Sequence, residues 1–357
     1  SRSVLSKMSG YDPFVYNPFE ISGTRYQYPY IWLYIFEKLN LQIKQNFDFF
    51  MFFSLSFYLF AFFNLFLLTK DFFSRILIVV LFFSTTNFLL IERGNIDHII
   101  FYLIFLIGII NNLFVGMLIL FFASIAKIYP LFSFIIFLRE KKNIIWSYLL
   151  ITLIIFFTYR IMGLRLFNPN HVFAAIIPAY GSMSITEAIF HLLKDYGIIE
   201  FTSEIKNIIR FFVMLIFLFI SIYLFKLGQK SEKRLNSVGT IVRLFILGSS
   251  IYVGTYIFFS NVDYRLVFLF LTIPYMCEKK NTNSVIFTVC VLISSFSWYF
   301  SVGHPLSLIY AINAIIVYSA KLILFLLLSY ELGTINNNFF KKIFFLNKSK
   351  SKTYENI

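Results

Sequence analysis

The chain has 357 residues; 59% are hydrophobic, only 13% are Asp, Glu, Lys or Arg, and the formal net charge is +14. Soluble globular chains carry about a quarter charged residues, so a soluble enzyme is excluded, and apolar runs that are continuous rather than alternating exclude a transmembrane β-barrel. The basic residues lie in short loops between apolar runs, which fits membrane topology and excludes nucleic acid as the partner.

Residues 1–46 are mixed in character and open on Ser1 with neither a span nor a signal peptide, so a further segment is expected upstream. Apolar segments follow at 49–69, 76–91, 98–110, 113–126, 128–138, 143–159, 207–226, 239–259, 266–277, 284–300 and 307–330. A bilayer core takes roughly 20 helical residues, so the shorter runs are half-helices or spans lengthened by their flanks. They predict an all-α, polytopic integral membrane protein of about eleven membrane segments. One multi-span domain covers 1–330, and a basic tail follows at 331–357.

Sidedness follows from Lys and Arg in the loops. The stretches 70–75, 139–142, 226–236, 278–283 and the tail from Lys341 hold 16 of them; the alternating turns at 92–97, Lys127, 261–265 and 301–306 hold three. The first set is expected in the cytoplasm, which places 1–46 and the long loop 160–206 outside. In that loop Ser184 and Glu187 fit a capping box, Ile185, Ile189, Leu192 and Leu193 share one face, and Gly197 is a stop. These predict a short amphipathic helix on the outer membrane surface.

Unusual polar groups collect on the same expected outer side. They are Glu92, Arg93, Asn95 and Asp97 in IERGNIDHII, Lys127 and Tyr129 in SIAKIYP, Asp263, Tyr264 and Arg265 in NVDYR, and Asp12 in GYDPF. Charge at membrane depth is costly and marks functional cavities. Three turns, each with a cation on the side that should lack them, point to an anion site, and phosphate suits Arg and Lys. The bland alternatives are a Glu92–Arg93 pair at a helix end, a Lys127 that snorkels to the headgroups, and a structural Asp263–Arg265 pair. The four histidines, His98, His171, His191 and His304, show no ligand spacing, and Cys277 and Cys290 form no metal motif. No soluble-enzyme motif is present.

GYDPF at 10–14, QYPYIWLYIF at 27–36, ERGNID at 92–97, AKIYP at 126–130 and NVDYR at 261–265 occur in the order seen in family-87 glycosyltransferases, and the chain resembles that family of the GT-C superfamily over residues 10–275. The resemblance implies an integral-membrane glycosyltransferase. Such an enzyme moves a sugar, with inversion, from a polyprenyl-phosphate donor to a lipid-linked or surface-glycan acceptor on the outer face of the cell membrane. It implies no cofactor and an outward-facing cavity beneath 1–46 and 160–206. Arg93, Lys127 and Arg265 would bind the donor phosphate, with Glu92, Asn95, Asp97, Tyr129, Asp263 and Tyr264 lining the cavity. The family's general base lies upstream of the D-P-Y segment, before Ser1. Asp12 matches the D-P-Y aspartate and is the candidate base within this chain; Glu20, Glu92, Asp97 and Asp263 are the other outer carboxylates. The lack of clustered outer carboxylates argues against a bound metal.

Two other readings stand beside this one. An O-antigen polymerase or ligase would use Arg160, Arg165 and His171 of the long loop. A lipid or glycan transporter would need internal repeats and charges near the bilayer midplane, whereas the polar residues singled out here sit near span ends.

Overall fold

The structure is a computed structural model that describes residues 6–12, 45–92, 96–140, 179–195, 197–199, 201–230, 239–258, 261–301 and 308–335, with positions 16, 18, 152 and 154. The expected segment 143–159, most of the loop 160–178 and the tail beyond 335 lie outside the described residues.

Twelve α-helices build the described bundle. They are α1 (Gln45–Leu68), α2 (Phe72–Phe82), α3 (Thr85–Glu92), α4 (Asp97–Ile109), α5 (Leu113–Ala126), α6 (Ile135–Glu140), α7 (Ser182–Asp195), α8 (Ser203–Gln229), α9 (Thr240–Phe258), α10 (Ile273–Glu278), α11 (Thr282–Ser295) and α12 (Leu308–Ile335). Polar residues between the apolar runs start several of them. Asp71 caps α2, Asn112 caps α5, Thr202 caps α8, and Asn281 forms a reciprocal capping box with Ser284 at α11. Each side chain accepts a hydrogen bond from a first-turn N–H that the helix itself cannot satisfy.

Among the described residues, four helices are long and apolar enough to cross a membrane: Met51–Leu68, Ser203–Gln229, Thr240–Phe258 and Ile309–Ile335. The pair α2 and α3, bent by 48°, makes a fifth if it counts as one span. The expected run 76–91 is therefore broken. At the break the Asn87 amide donates to the Phe82 carbonyl at 2.7 Å, satisfying a group freed by the bend. Other expected segments are composite. Tyr129–Phe134 is a 3₁₀ turn with Pro130 in its first turn before α6, Asp263–Thr272 is a 3₁₀ segment that runs into α10, and Ser297–Ser301 is a 3₁₀ turn after α11.

Helix α9 is the centre. Every residue from Val242 to Ile257 is buried, as expected of a helix apolar on all sides. Gly248 admits the returning chain: a Cβ there would lie 2.5 Å from the Phe268 carbonyl oxygen. At the periphery α8 and α12 run parallel with a constant register. Phe217 meets Phe325 with ring centroids 5.5 Å apart, Ser221 bonds Ser329 at 3.2 Å, and Gly333 presses on the Phe225 carbonyl. Small residues permit this close approach. Phe211, Phe212, Phe219, Ile309 and Ile315 stay exposed, which suits a lipid-facing surface.

The turns gather at two ends. At one, Asp71 lies 3.8 Å from Lys280, and Asn283 reaches Glu331 at 3.0 Å. At the other, Asp97, Lys127, Tyr129 and Arg265 meet. The contacts join 71 to 280 within one expected group of turns, and 97, 127 and 265 within the other. The helix expected in the long loop exists as α7, and Gly197 ends it with φ +65°. Its start differs from expectation. The helix begins at Ser182, so Ser184 lies inside the first turn and donates to the Tyr180 carbonyl, while Glu187 pairs with Arg210 of α8 instead of capping. The helix is thereby packed onto the bundle: Ser182 to Ser184, Glu187 and Phe190 are buried, although Ile189 is half exposed.

Candidate functional site

Asp97 is the first residue of α4. Its side chain is fully buried. Lys127, at the end of α5, donates to Asp97 Oδ1 at 2.7 Å, and the Tyr129 hydroxyl donates to the same oxygen at 2.5 Å. Arg265 approaches from the 3₁₀ segment, with Nε 3.9 Å from Asp97 Oδ2 and its guanidinium 5.1 Å from the Tyr129 ring centroid. An isolated carboxylate in this environment would cost several kcal/mol; the Lys, Tyr and Arg groups around it offset that cost. Lys127 is thus turned inward to Asp97 rather than outward to headgroups.

Within the cluster accessibility is graded. Asp97 is 0% exposed, Lys127 7% and Arg265 20%. Arg265 is the group through which the cluster meets its surroundings. Its Nη1 also donates to Asn261 Oδ1, and the Asn261 amide donates to the Thr255 carbonyl at 2.8 Å.

A second buried carboxylate lies two residues before Arg265. Asp263 is fully buried and pairs with Lys321 of α12, whose Nζ donates at 2.8 and 2.7 Å to its two oxygens, while Ser297 donates to Oδ2. The Asp263–Arg265 pair considered from sequence therefore gives way to two separate pairings. A 3₁₀ turn directs neighbouring side chains differently from an α-helix, and here residues 263 and 265 reach different partners.

The remaining predicted positions separate. Asp12 and Glu92 are exposed. Arg93 and Asn95 lie outside the described residues, as does the side chain of Tyr264. So do Glu20, Arg160, Arg165, His171 and His304. His98 is buried, its ring 5.1 Å from that of Tyr58, and His191 is exposed. Among the described residues no group of three or more His, Cys, Asp or Glu side chains gathers as a metal site. A cavity of about 530 Å³ opens at the opposite end, between Asp71, Phe73, Cys277, Lys280 and Val285.

Lys321, Ser297 and Asn261 are the site residues that sequence reasoning missed. Lys321 had a signal: a single Lys inside YSAKLILFLLL, where an intramembrane charge demands a partner. It also lies midway along α12, unlike the span-end positions singled out from sequence. Ser297 and Asn261 had none, because small polar residues are common in such helices and loops. Compared with family models, curated proteins and solved structures, the chain finds no match.

Proposed function

We propose that the protein is an integral-membrane glycosyltransferase of the GT-C type that moves a sugar from a polyprenyl-phosphate donor to a lipid-linked or glycan acceptor. The observation that carries this reading is the convergence at Asp97. Three stretches that resemble family-87 motifs, ERGNID, AKIYP and NVDYR, are far apart in sequence and supply the four side chains of one cluster: Asp97, Lys127 with Tyr129, and Arg265.

In this reading Asp97 holds the cations ready. A donor phosphate exchanges with Asp97 as the partner of Arg265, and Lys127 supports it from deeper in the fold. The acceptor hydroxyl attacks the anomeric carbon and gives up its proton to a carboxylate, for which Asp12 is the candidate in this chain. The sugar–phosphate bond breaks, and the cations stabilise the departing polyprenyl phosphate as its charge develops. The proposed placement has about eleven membrane segments, the basic loops in the cytoplasm, and the Asp97 cluster on the outer face of the cell membrane beneath the cavity expected under 1–46 and 160–206. Arg93 and Asn95 belong to the same proposed donor site.

The experiment is sugar transfer by the purified protein from a panel of polyprenyl-phosphate sugars to lipid acceptors, followed by mass spectrometry. One sugar added per acceptor, lost with Arg265→Ala, supports the assignment. A second reading, a lipid or glycan transporter, draws on Lys321 at the middle of an apolar helix, a position at which transporters carry charge. Movement of whole lipid-linked glycans across vesicles without transfer would favour it.

A further inference from the structure

Lys321 makes more bonds than pairing requires. The same ammonium that holds both oxygens of Asp263 donates at 2.9 Å to the backbone carbonyl of Ala179, a residue 142 positions away in sequence. Ala179 and Tyr180 form a two-residue antiparallel bridge with Asn261 and Val262, in the register Ala179↔Val262 and Tyr180↔Asn261. Asn261 accepts from Arg265. One buried cation therefore joins the strand that leads into α7 to the turn that carries Arg265.

The surroundings fix that cation from both sides. The Tyr252 hydroxyl donates to the Lys321 carbonyl at 2.8 Å, so the backbone of α12 is tied to α9 at the same level. Tyr180 stacks on Tyr252 at 5.3 Å and bonds Thr255, and Ser182 donates to the Ile257 carbonyl at 2.7 Å. Apolar residues of similar size often stabilise a core as well as a buried ion pair does. What an ion pair adds is direction: an ammonium reaches three acceptors at set angles, whereas a leucine or methionine fills space without ordering the groups around it.

We infer that Lys321 is a positioning residue: through Asp263 and the Ala179 carbonyl it sets the 179–180 strand against the 261–265 turn and so holds Arg265 at Asp97. This inference deepens the transferase reading and rests on it for the catalytic consequence, but the clamp itself is a structural claim with its own readouts. Replacing only one partner would strand a buried charge, so the informative variant is the neutral double substitution Asp263→Asn with Lys321→Met, compared with wild type and with Lys321→Arg, which keeps the charge.

The test uses the full chain in lipid nanodiscs. Amide hydrogen exchange over 179–195 reports on the strand and α7. The rate at which phenylglyoxal modifies Arg265, read by peptide mass spectrometry, reports on the arginine without reference to activity. In the folded double variant both rates rise by roughly tenfold, while exchange in 203–229 stays at its wild-type rate. Lys321→Arg restores much of the protection. The donor KM rises by about the same factor, with a smaller change in kcat. Unchanged exchange and unchanged labelling in a folded double variant overturn the clamp. If both respond but the wild-type protein transfers no sugar, the clamp stands and the transferase reading falls. If the double variant fails to fold, the same two rates are read in Asp263→Asn alone, and wild-type rates there overturn the clamp.

Discussion

The two ends of the bundle use charge differently. At the end that holds Asp71, Asn111 and Glu331, basic side chains complete local structure. Arg243 is buried at the start of α9 and donates to the Ile107 and Ile110 carbonyls at 2.9 and 2.7 Å and to Asn111 at 3.3 Å, closing the last turn of α4. Arg75 donates to the Thr69 carbonyl at 2.6 Å, just past the end of α1. Cations at helix C-termini satisfy orphan carbonyls and complement the helix dipole. At the Asp97 end, by contrast, cations converge from separate segments on buried carboxylates. Charge at the first end is explained by the helix terminus it completes, except for the pair of Lys279 with the buried Glu331 of α12. At the second it is explained only by the meeting of distant segments, and that is what makes it the candidate site.

The largest expected effect is at Asp97. Asp97→Ala leaves Lys127 buried without its carboxylate and should cost about 3–5 kcal/mol, the range for breaking a buried pair. Thermal unfolding in detergent should show little cooperative folded protein. Asp97→Asn combined with Lys127→Met removes both charges and should recover most of that loss. If Asp97→Ala unfolds at the wild-type temperature, the carboxylate is not the organising centre of this end.

Next is the functional contrast. Arg265→Lys keeps a cation but loses the planar fork that reaches Asn261 and lies over Tyr129. On the proposed transferase reading, sugar transfer should fall by about 100-fold, the scale for removing one group that stabilises developing charge, with Tm changed by only a few degrees. Arg243→Met should do the reverse. It removes hydrogen bonds from a charged donor to two helix carbonyls, costing about 2–3 kcal/mol of stability, with donor KM unchanged. If Arg243→Met raises donor KM as much as Arg265→Lys does, the division between the two ends is wrong.

How far the sequence carries this contrast depends on the kind of signal. Period and composition show which segments are apolar, and loop Lys and Arg suggest which turns share a side. They do not show that 128–138 and 266–277 contain 3₁₀ stretches, because hydropathy is blind to helix pitch; Pro130 and Pro274 are the only local hints. Four of the singled-out polar residues, Asp97, Lys127, Tyr129 and Arg265, do meet, because charge in an apolar segment has few places to go. Their pairing was not legible. Asp263 and Arg265 are two residues apart, and a local pair is one alternative reading of the sequence, but each finds a partner contributed by a different segment. Lys321 was passed over because one Lys barely alters the mean of a long apolar run, although it is the charge that such a run tolerates least.

The smallest effect returns to the first end and depends on pH. Asp71 caps α2, accepting from the Ser74 N–H at 2.9 Å and the Ser74 hydroxyl at 2.8 Å. The Ser74 backbone N–H, helped by its hydroxyl and by Lys280, holds this carboxyl below its ordinary range. Lys280 is 78% exposed, so its share is small. A carboxylate with a depressed folded-state value contributes stability that is present above its unfolded value of about 3.9 and is lost as pH falls through the folded one. Asp71→Ala should therefore cost about 1 kcal/mol at pH 7, the usual worth of an N-cap, and the gap between variant and wild type should narrow below about pH 4. Asp71→Asn keeps a capping oxygen without the titration. It should stay near wild type at pH 7 and become the more stable of the two well below about pH 4, where wild type loses the charge of its cap. The comparison is read as the difference in Tm between paired samples at each pH. A gap for Asp71→Ala that stays constant into acid would mean that the cap acts through its shape rather than its charge, unlike the carboxylate at the other end.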